Sequence, residues 1–303
     1  KKGHQHLLQE RQDIYRFIMN HATEFPVEKM CKVFGVSRSG YYCWRKCEQT
    51  GMHKHKRLDK QIREIFNESD CTYGSPRIAL ELKRMEVEVS EATVARRMNA
   101  LSIRAKAAKK YVVTTQSKHD EPIAPNILNR DFAAQTPAIK WVSDITYFRI
   151  NRQWYYLTVI LDLADRYVVG WTISDRMSSK KTTEAAFKRA IANRPPRKGM
   201  IFHSDRGVQY ACDDFRRLLN SCGCQQSMSR KGNCWDNAVA ESFFKTIKTE
   251  CIMKHHFTSK EQAFTVLFRY IEGWYNTKRI HSGIGGISPK EMYYRLTQLK
   301  QTA

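Results

Sequence analysis

The chain has 303 residues, long enough for two or three domains, and its 42% hydrophobic content can supply an ordinary core. Its longest apolar runs, such as Tyr155 to Leu163, fall far short of the roughly 20 residues of a membrane span, and no basic-then-apolar leader opens it. Nine cysteines without a CxxC pair argue against a disulfide framework or zinc ribbon and for the reducing cytoplasm, while 52 Lys and Arg against 30 Asp and Glu leave a net charge of +22 that suits a polyanion.

The charge is +10 in residues 1–120 and +12 in residues 121–303, so nucleic acid is the default partner of both halves. An apolar helical period from Leu7 to Ile18 and a second from Val27 to Phe34 predict helix, turn, helix, continuing through Tyr41 and Trp44. Gly35 suits a left-handed turn, Ser37 can cap the next helix, and Arg38, Arg45 and Lys46 share that helix with Tyr41, Tyr42 and Trp44. This predicts a helix-turn-helix-like region over 1–57; a purely structural helical hairpin is the plainer alternative. His4, His6, His21, Cys31, Cys43 and Cys47 have spacings that match no standard zinc module.

A basic, helix-poor stretch is expected from Gly51 to Arg57, followed by a second helix-turn-helix domain over 58–113. Ile62, Ile65 and Phe66 mark its first helix, Ile78, Leu82 and Met85 its second, and Ser90 caps a third through Met98, with Thr93 as the third helical residue. Arg96, Arg97, Arg104, Lys106, Lys109 and Lys110 crowd the recognition helix and its exit, where phosphate binding or plain solvation accounts for them. Residues 114–137 lose periodicity, carry Pro122, Pro125 and Pro137, and read as a linker.

Beyond the linker the period changes to strands. Lys140 to Ile150, Trp154 to Leu163 and Tyr167 to Ile173 predict an antiparallel meander. A helix (Lys180 to Asn193), a strand (Met200 to His203), a helix (Cys212 to Cys222), a strand (Gln225 to Met228) and a long helix (Asp236 to Met253) complete the order βββαβαβα. That order fits a ribonuclease-H-like α/β core over 138–256. Residues 257–303 form a helical extension with an aromatic helix from Lys260 to Tyr275 and a capping box at Ser288-Pro289-Lys290-Glu291.

Three acids in apolar settings stand out: Asp144 in Trp-Val-Ser-Asp-Ile, Asp205 in His-Ser-Asp-Arg-Gly, and Glu241 in Ala-Val-Ala-Glu-Ser-Phe-Phe. The first two are expected at strand ends and the third on a helix, converging if the first and fourth strands are neighbours. A carboxylate cluster of this kind is tolerated where a divalent cation fills it, which points to Mg²⁺ or Mn²⁺, two ions to a site, and phosphoryl transfer. Asp162 and Asp165 are explained by turn chemistry at the close of the second strand, with Asp162 a lesser metal candidate. Asp236 is expected to cap the following helix, Asn237 to contact backbone or DNA, and His203 to pack or to shuttle a proton. Arg206, Gly207 and Gln209 form a polar turn beside Asp205, open to DNA contact or plain loop chemistry.

The 35 residues between Asp205 and Glu241, with His203-Ser204-Asp205-Arg206-Gly207-Val208-Gln209-Tyr210, resemble the DDE transposases and integrases of the retroviral-integrase superfamily. Ser227-Met228-Ser229, Gly232, Asp236-Asn237-Ala238, Glu241-Ser242-Phe243-Phe244 and Lys248 resemble bacterial insertion-sequence transposases encoded by two overlapping frames. Tyr275-Asn276 with Arg279 and His281, and Tyr73-Gly74 with Arg77, extend the likeness over roughly residues 25–295.

The resemblance implies that Asp144, Asp205 and Glu241 are metal-binding catalytic acids and that Lys245 and Lys248, four and seven positions after the Glu, hold a DNA end; solvated lysines are the plain alternative. Arg279 and His281 are further candidates for DNA contact. It also implies a transposase that frees a 3′ hydroxyl at an element end and joins it to target DNA, working as a homo-oligomer at the nucleoid, with or without an upstream-frame protein or fused segment. A non-cutting DNA-binding regulator, or a domesticated derivative, is the rival expectation.

Overall fold

The computed structural model describes residues 11–105 and 121–298. Two compact units divide it, one holding the residues up to Glu68 with Tyr73–Arg104, the other Ser69–Thr72 and the chain from Ala105 on. Lys106, Lys109 and Lys110 lie outside the described residues, as do His4 and His6.

The first unit is helical: α1 (Arg11–Asn20), α2 (Val27–Phe34), α3 (Arg38–Glu68), α4 (Ser75–Arg84) and α5 (Glu91–Ala100). Gly35 ends α2 at φ 66°, the left-handed conformation that costs glycine least. The Ser37 hydroxyl accepts the Gly40 N–H at 3.0 Å at the start of α3. Ile18, Met30, Cys31 and Tyr41 form the core of α1, α2 and the first turns of α3.

The helix-poor stretch expected over 51–57 is absent, because α3 runs unbroken through it for 31 residues. No proline lies between Arg38 and Glu68, and Lys, Arg and Gln are good helix formers, so a polar gap in the apolar period does not end a helix; Gly51 costs only about 1 kcal/mol. The far turns of α3 pack with α4 and α5, burying Leu58, Ile62, Ile65, Phe66, Ile78, Leu82, Val94 and Met98. The Ser90 hydroxyl caps α5, accepting the Thr93 N–H at 3.2 Å.

The second unit is a five-stranded sheet ordered β3-β2-β1-β4-β5, with β1 (Lys140–Ile150), β2 (Gln153–Asp162), β3 (Val168–Ser174), β4 (Ile201–Ser204) and β5 (Gln225–Met228). β1, β2 and β3 form the antiparallel meander, while β4 and β5 run parallel to β1. The helices are α6 (Thr183–Asn193), the short α7 (Val208–Ala211), α8 (Asp213–Ser221), α9 (Ala238–Glu250), α10 (Lys260–Phe268) and α11 (Pro289–Gln298).

Strand alternation divides the core in two. Trp141 and Ile160 pack with Phe187 of α6 and Phe215 of α8 on one face. Val142, Phe148 and Val159 pack with Phe243, Phe244 and Ile247 of α9 and Leu267 of α10 on the other. The Gly170 position on β3 has no room for a side chain, since a Cβ there would stand 2.4 Å from the Ala186 carbonyl of α6.

Two of the three tail and linker readings need refinement. The aromatic helix of the extension is α-helical only to Phe268 and continues as a π-helix over Arg269–Tyr275. The Ser288 capping box is present, with Glu291 Oε2 accepting the Ser288 N–H at 2.8 Å. The described part of the linker, 121–137, lacks helix or strand as its prolines foretell, yet it is docked: Leu128 is buried in the sheet's core and its N–H reaches Ser227 Oγ at 3.1 Å.

Candidate active site

Asp144 does not end its strand. It stands in the middle of β1, opposite Val159, because the β1–β2 hairpin continues eight residues beyond the point where β4 stops pairing. Asp205 does follow the last residue of β4, and Glu241 lies in the first turn of α9. Since β1 and β4 are parallel neighbours in register at Val142 and His203, the two aspartates leave the sheet side by side. Asp144 shares the sheet face covered by α9 with Val142 and Phe148.

Asp144 senses both other acids. Burial pushes the Asp144 carboxyl well above the usual carboxylate range, and the charges of Asp205 and then Glu241 push it further, against the Ile145 N–H and Lys248. Glu241 is raised by burial. Asp205 is oriented by the Gly207 N–H, which donates to its Oδ1 at 3.0 Å. Among the described residues no three acid, histidine or cysteine side chains stand close enough to grip an ion as they are.

Beneath the aspartates lies a support that sequence reasoning missed. The Tyr210 and Ser143 hydroxyls are 2.8 Å apart, both buried, and Ser143 donates to the Val159 carbonyl. Burial raises Tyr210 above its ordinary value, and the Asp144 and Asp205 charges add to this. The only sequence signal was the fixed interval from Asp205 to Tyr210 across one helical turn.

Asp236 does not cap α9. It is fully buried, and its oxygens take Asn126, Arg130 and Arg230, including the Arg230 backbone, at 2.8 to 3.0 Å. The Arg230 side chain foremost, with Arg130 behind it, holds its carboxyl far below the usual range. Asn237 is buried too and donates to the Ser143 carbonyl at 3.1 Å, so its contact is with backbone and DNA cannot reach it.

His203 is a packing residue. Its ring nitrogens meet Ser227 Oγ at 2.8 Å and Ser229 Oγ at 3.1 Å, and burial pushes its pKa down to about 4. Asp162 is consumed by the Ala138 N–H, the Trp141 indole and Arg194, and Arg194 also binds Asp165 at 2.8 Å. That corner holds strands together: Asp162 Oδ2 takes these three donors and Oδ1 the Ala164 N–H at 3.0 Å, so the carboxylate is fully buried and engaged in structural bonds. Gln209 is likewise buried, bonded to the Met177 carbonyl.

The cationic candidates separate cleanly. Lys245 is exposed on α9, and Lys248 lies one turn on, over the Tyr147 ring at 5.4 Å and near enough to Asp144 to feel its charge. Arg206 is partly exposed, its Nε donating to the Ser229 carbonyl at 2.6 Å. Arg96 is exposed on α5. Arg97, expected to meet DNA, is instead engaged within the helical unit, its Nε and Nη2 donating to the two Asp59 oxygens on α3 at 2.8 and 2.6 Å. Arg279 is likewise engaged, sealed in the core against Glu250 at 2.9 and 2.7 Å. His281 stands edge-on to the Tyr275 ring beside that pair, 4.7 Å between centroids.

A family model for an integrase core domain matches residues 134–234, a second integrase core model matches 222–289, and an HTH-like domain matches 54–111. The chain is 39% identical over 282 residues to the transposase InsF for insertion sequence IS3A of Escherichia coli (strain K12), covering 91% of this chain and 97% of that one. It is 40% identical over 271 residues to the insertion element IS600 uncharacterized 31 kDa protein of Shigella sonnei, covering 88% and 99%.

Among solved structures, similarity extends to the simian T-cell lymphotropic virus intasome in complex with PP2A regulatory subunit B56 gamma (TM-score 0.46, 15% identity, 77% of this chain and 74% of that one). It extends also to the HTLV-2 integrase catalytic core domain in complex with magnesium (TM-score 0.40, 17% identity, 52% and 97%).

Proposed function

The chain belongs to the insertion-sequence transposases built on an integrase core, and on that premise we propose that Asp144, Asp205 and Glu241 are the catalytic acids of a divalent-metal-dependent phosphoryl transfer at the ends of a mobile DNA element. The observation that carries this reading is that Asp144, partly buried on the α9 face of β1, lies within electrostatic reach of both other acids. Three carboxylates without a thiolate or imidazole make a hard-oxygen donor set suited to Mg²⁺ or Mn²⁺. Their mutual repulsion is what a cation relieves, and the three side chains have to swing together to hold it. When bound, the ions polarise the scissile phosphodiester and activate the attacking oxygen.

The remaining work falls to the chain's own side chains. Lys245 and Lys248 line the face of α9 below Glu241 and neutralise backbone phosphates, with Arg206 beside Asp205 and Arg96 on α5 as further contacts. The Gly207 N–H and the Ser143–Tyr210 pair hold the aspartates in place while charge develops between them. Water first cuts a strand to free a 3′ hydroxyl, which then attacks a second phosphodiester, so no side chain becomes covalently attached. The partners are double-stranded element ends and target DNA, a second copy of the chain to handle the second end, and an upstream-frame segment. The work is done at the bacterial nucleoid in the cytoplasm.

The test is a Mg²⁺-dependent cleavage and joining assay on duplexes carrying the element's ends. Wild type should cut and join, whereas Asp205→Asn and Glu241→Gln should bind the same duplexes with nearly unchanged affinity and release no product. Cleavage retained in either variant would sink the three-acid assignment.

A further inference from the structure

The segment from Gly232 to Glu241 reads Gly-Asn-Cys-Trp-Asp-Asn-Ala-Val-Ala-Glu, and the chemistry proposed above uses only its last residue. Trp235 is 69% exposed, more than any other aromatic side chain among the described residues. An indole offers a large flat apolar face for stacking together with an N–H donor. The residues that follow it are held firmly. Asp236 is clamped by Asn126, Arg130 and Arg230, and Asn237 is bonded to the carbonyl of Ser143, the residue before Asp144. α9 begins at the next position and reaches Glu241 within its first turn. The turn therefore displays its indole outward, two residues before the side chain bonded to Ser143 and six before Glu241.

The surroundings are those of a nucleic-acid contact. Arg230 and Arg130 remain 49% and 45% exposed and outnumber the one carboxylate they share, and Lys231 is exposed beside them. Two more apolar side chains are exposed, Met177 on a loop and Val208 at the start of α7, joined by the bond from Gln209 to the Met177 carbonyl, and Val208 is three residues from Asp205. A cationic rim with a projecting flat side chain attracts phosphate and stacks on an unpaired base. A phosphodiester inside a stacked duplex is poorly placed for carboxylates set on a strand, a strand end and a helix turn, and extruding a neighbouring base frees it.

We propose that Trp235 stacks on a base extruded from the duplex beside the cleavage site, holding the scissile phosphate over Asp144, Asp205 and Glu241. The proposal rests on the assignment of those acids. Trp235 is a positioning residue, and its effect is confined to DNA that must be unpaired.

Element-end duplexes carrying 5-iododeoxyuridine next to the cleavage site, bound without divalent ion and irradiated, should crosslink to the peptide containing Trp235, and the crosslink should vanish in Trp235→Ala. In the Mg²⁺ assay, Trp235→Ala should cut paired ends about tenfold slower or worse, the worth of one base stack. Trp235→Phe should recover most of the rate, and a mismatch at the cleavage step should restore Trp235→Ala. No wild-type crosslink at Trp235, normal cutting of paired ends by Trp235→Ala, or a defect that neither Phe nor the mismatch corrects would overturn the proposal. Asp205→Asn should fail on paired and mismatched ends alike; if it cuts both, the acid assignment falls while the metal-free crosslink still decides the stacking.

Discussion

Replacing Arg279 by Met strips a buried carboxylate of its counter-ion. Glu250 receives the Arg279 Nη2 at 2.7 Å and Nε at 2.9 Å, and the two side chains are only 8% and 3% exposed. The Tyr270 hydroxyl, 2.7 Å from Glu250 Oε2, is the partner that remains. Breaking one side of such a pair costs about 3–5 kcal/mol. Because Met preserves most of the volume and Tyr270 stays, the low end applies, about 3 kcal/mol. In a unit of this size each kcal/mol lowers the melting temperature by about 2–4 °C, so calorimetry should show a drop of about 6–12 °C. The double variant Glu250→Met/Arg279→Met should recover most of the loss, since exchanging a buried pair for apolar side chains is often neutral. If Arg279→Met melts like wild type while the dependence of log affinity on log salt flattens by about one unit, Arg279 is a phosphate contact and the reasoning fails.

Gly170→Ala places a Cβ 2.4 Å from the Ala186 carbonyl and 2.8 Å from Ala190, so β3 and α6 must part, and the denaturation midpoint should fall by the equivalent of about 1–3 kcal/mol; an unchanged midpoint would mean the layer is loosely packed. His203 takes up a proton at its ordinary 6.5 when unfolded but only at about 4 when folded, so its contribution is present above pH 6.5 and is lost as pH falls through that window. The loss amounts to at most about 3 kcal/mol, and His203→Gln should flatten the stability–pH curve between those values; an unaltered curve would refute the assignment. On α5, Arg97→Ala should destabilise the helical unit by about 1 kcal/mol while Arg96→Ala leaves melting unchanged and reduces the salt dependence of DNA binding by about one unit; the opposite pattern in melting and filter-binding experiments would exchange their roles.

Features governed by near neighbours were legible in the chain. The expected strand Gln225 to Met228 matches β5 residue for residue, the Ser90 cap and the Ser288–Glu291 box bond as drawn, and Gly35 takes its left-handed turn. The meander and the βββαβαβα order followed from a change of apolar period from 3.6 to 2; the adjacency of β1 and β4 was an expectation from the ribonuclease-H-like topology that this order fits, and the sheet has it. Polar helix was not legible: α3 crosses residues 51–57 because its ends are set by packing against α1, α2, α4 and α5, which an apolar period does not report.

By itself the sequence determined where the three acids fall, which elements carry them and that the chain is built to meet a polyanion. Periodicity, capping and net charge are local or additive properties that survive without a fold. Which of its many cations still face outward was decided only by tertiary structure. Arg97 meets Asp59 across 38 residues and Arg279 meets Glu250 across 29, while Arg130 meets Asp236 across 106 and still keeps 45% of its side chain exposed. A guanidinium reads alike in a sequence whether it ends in water or against a carboxylate. Only chain closure supplies that carboxylate, and with it the choice between a contact for DNA and a brace for the core.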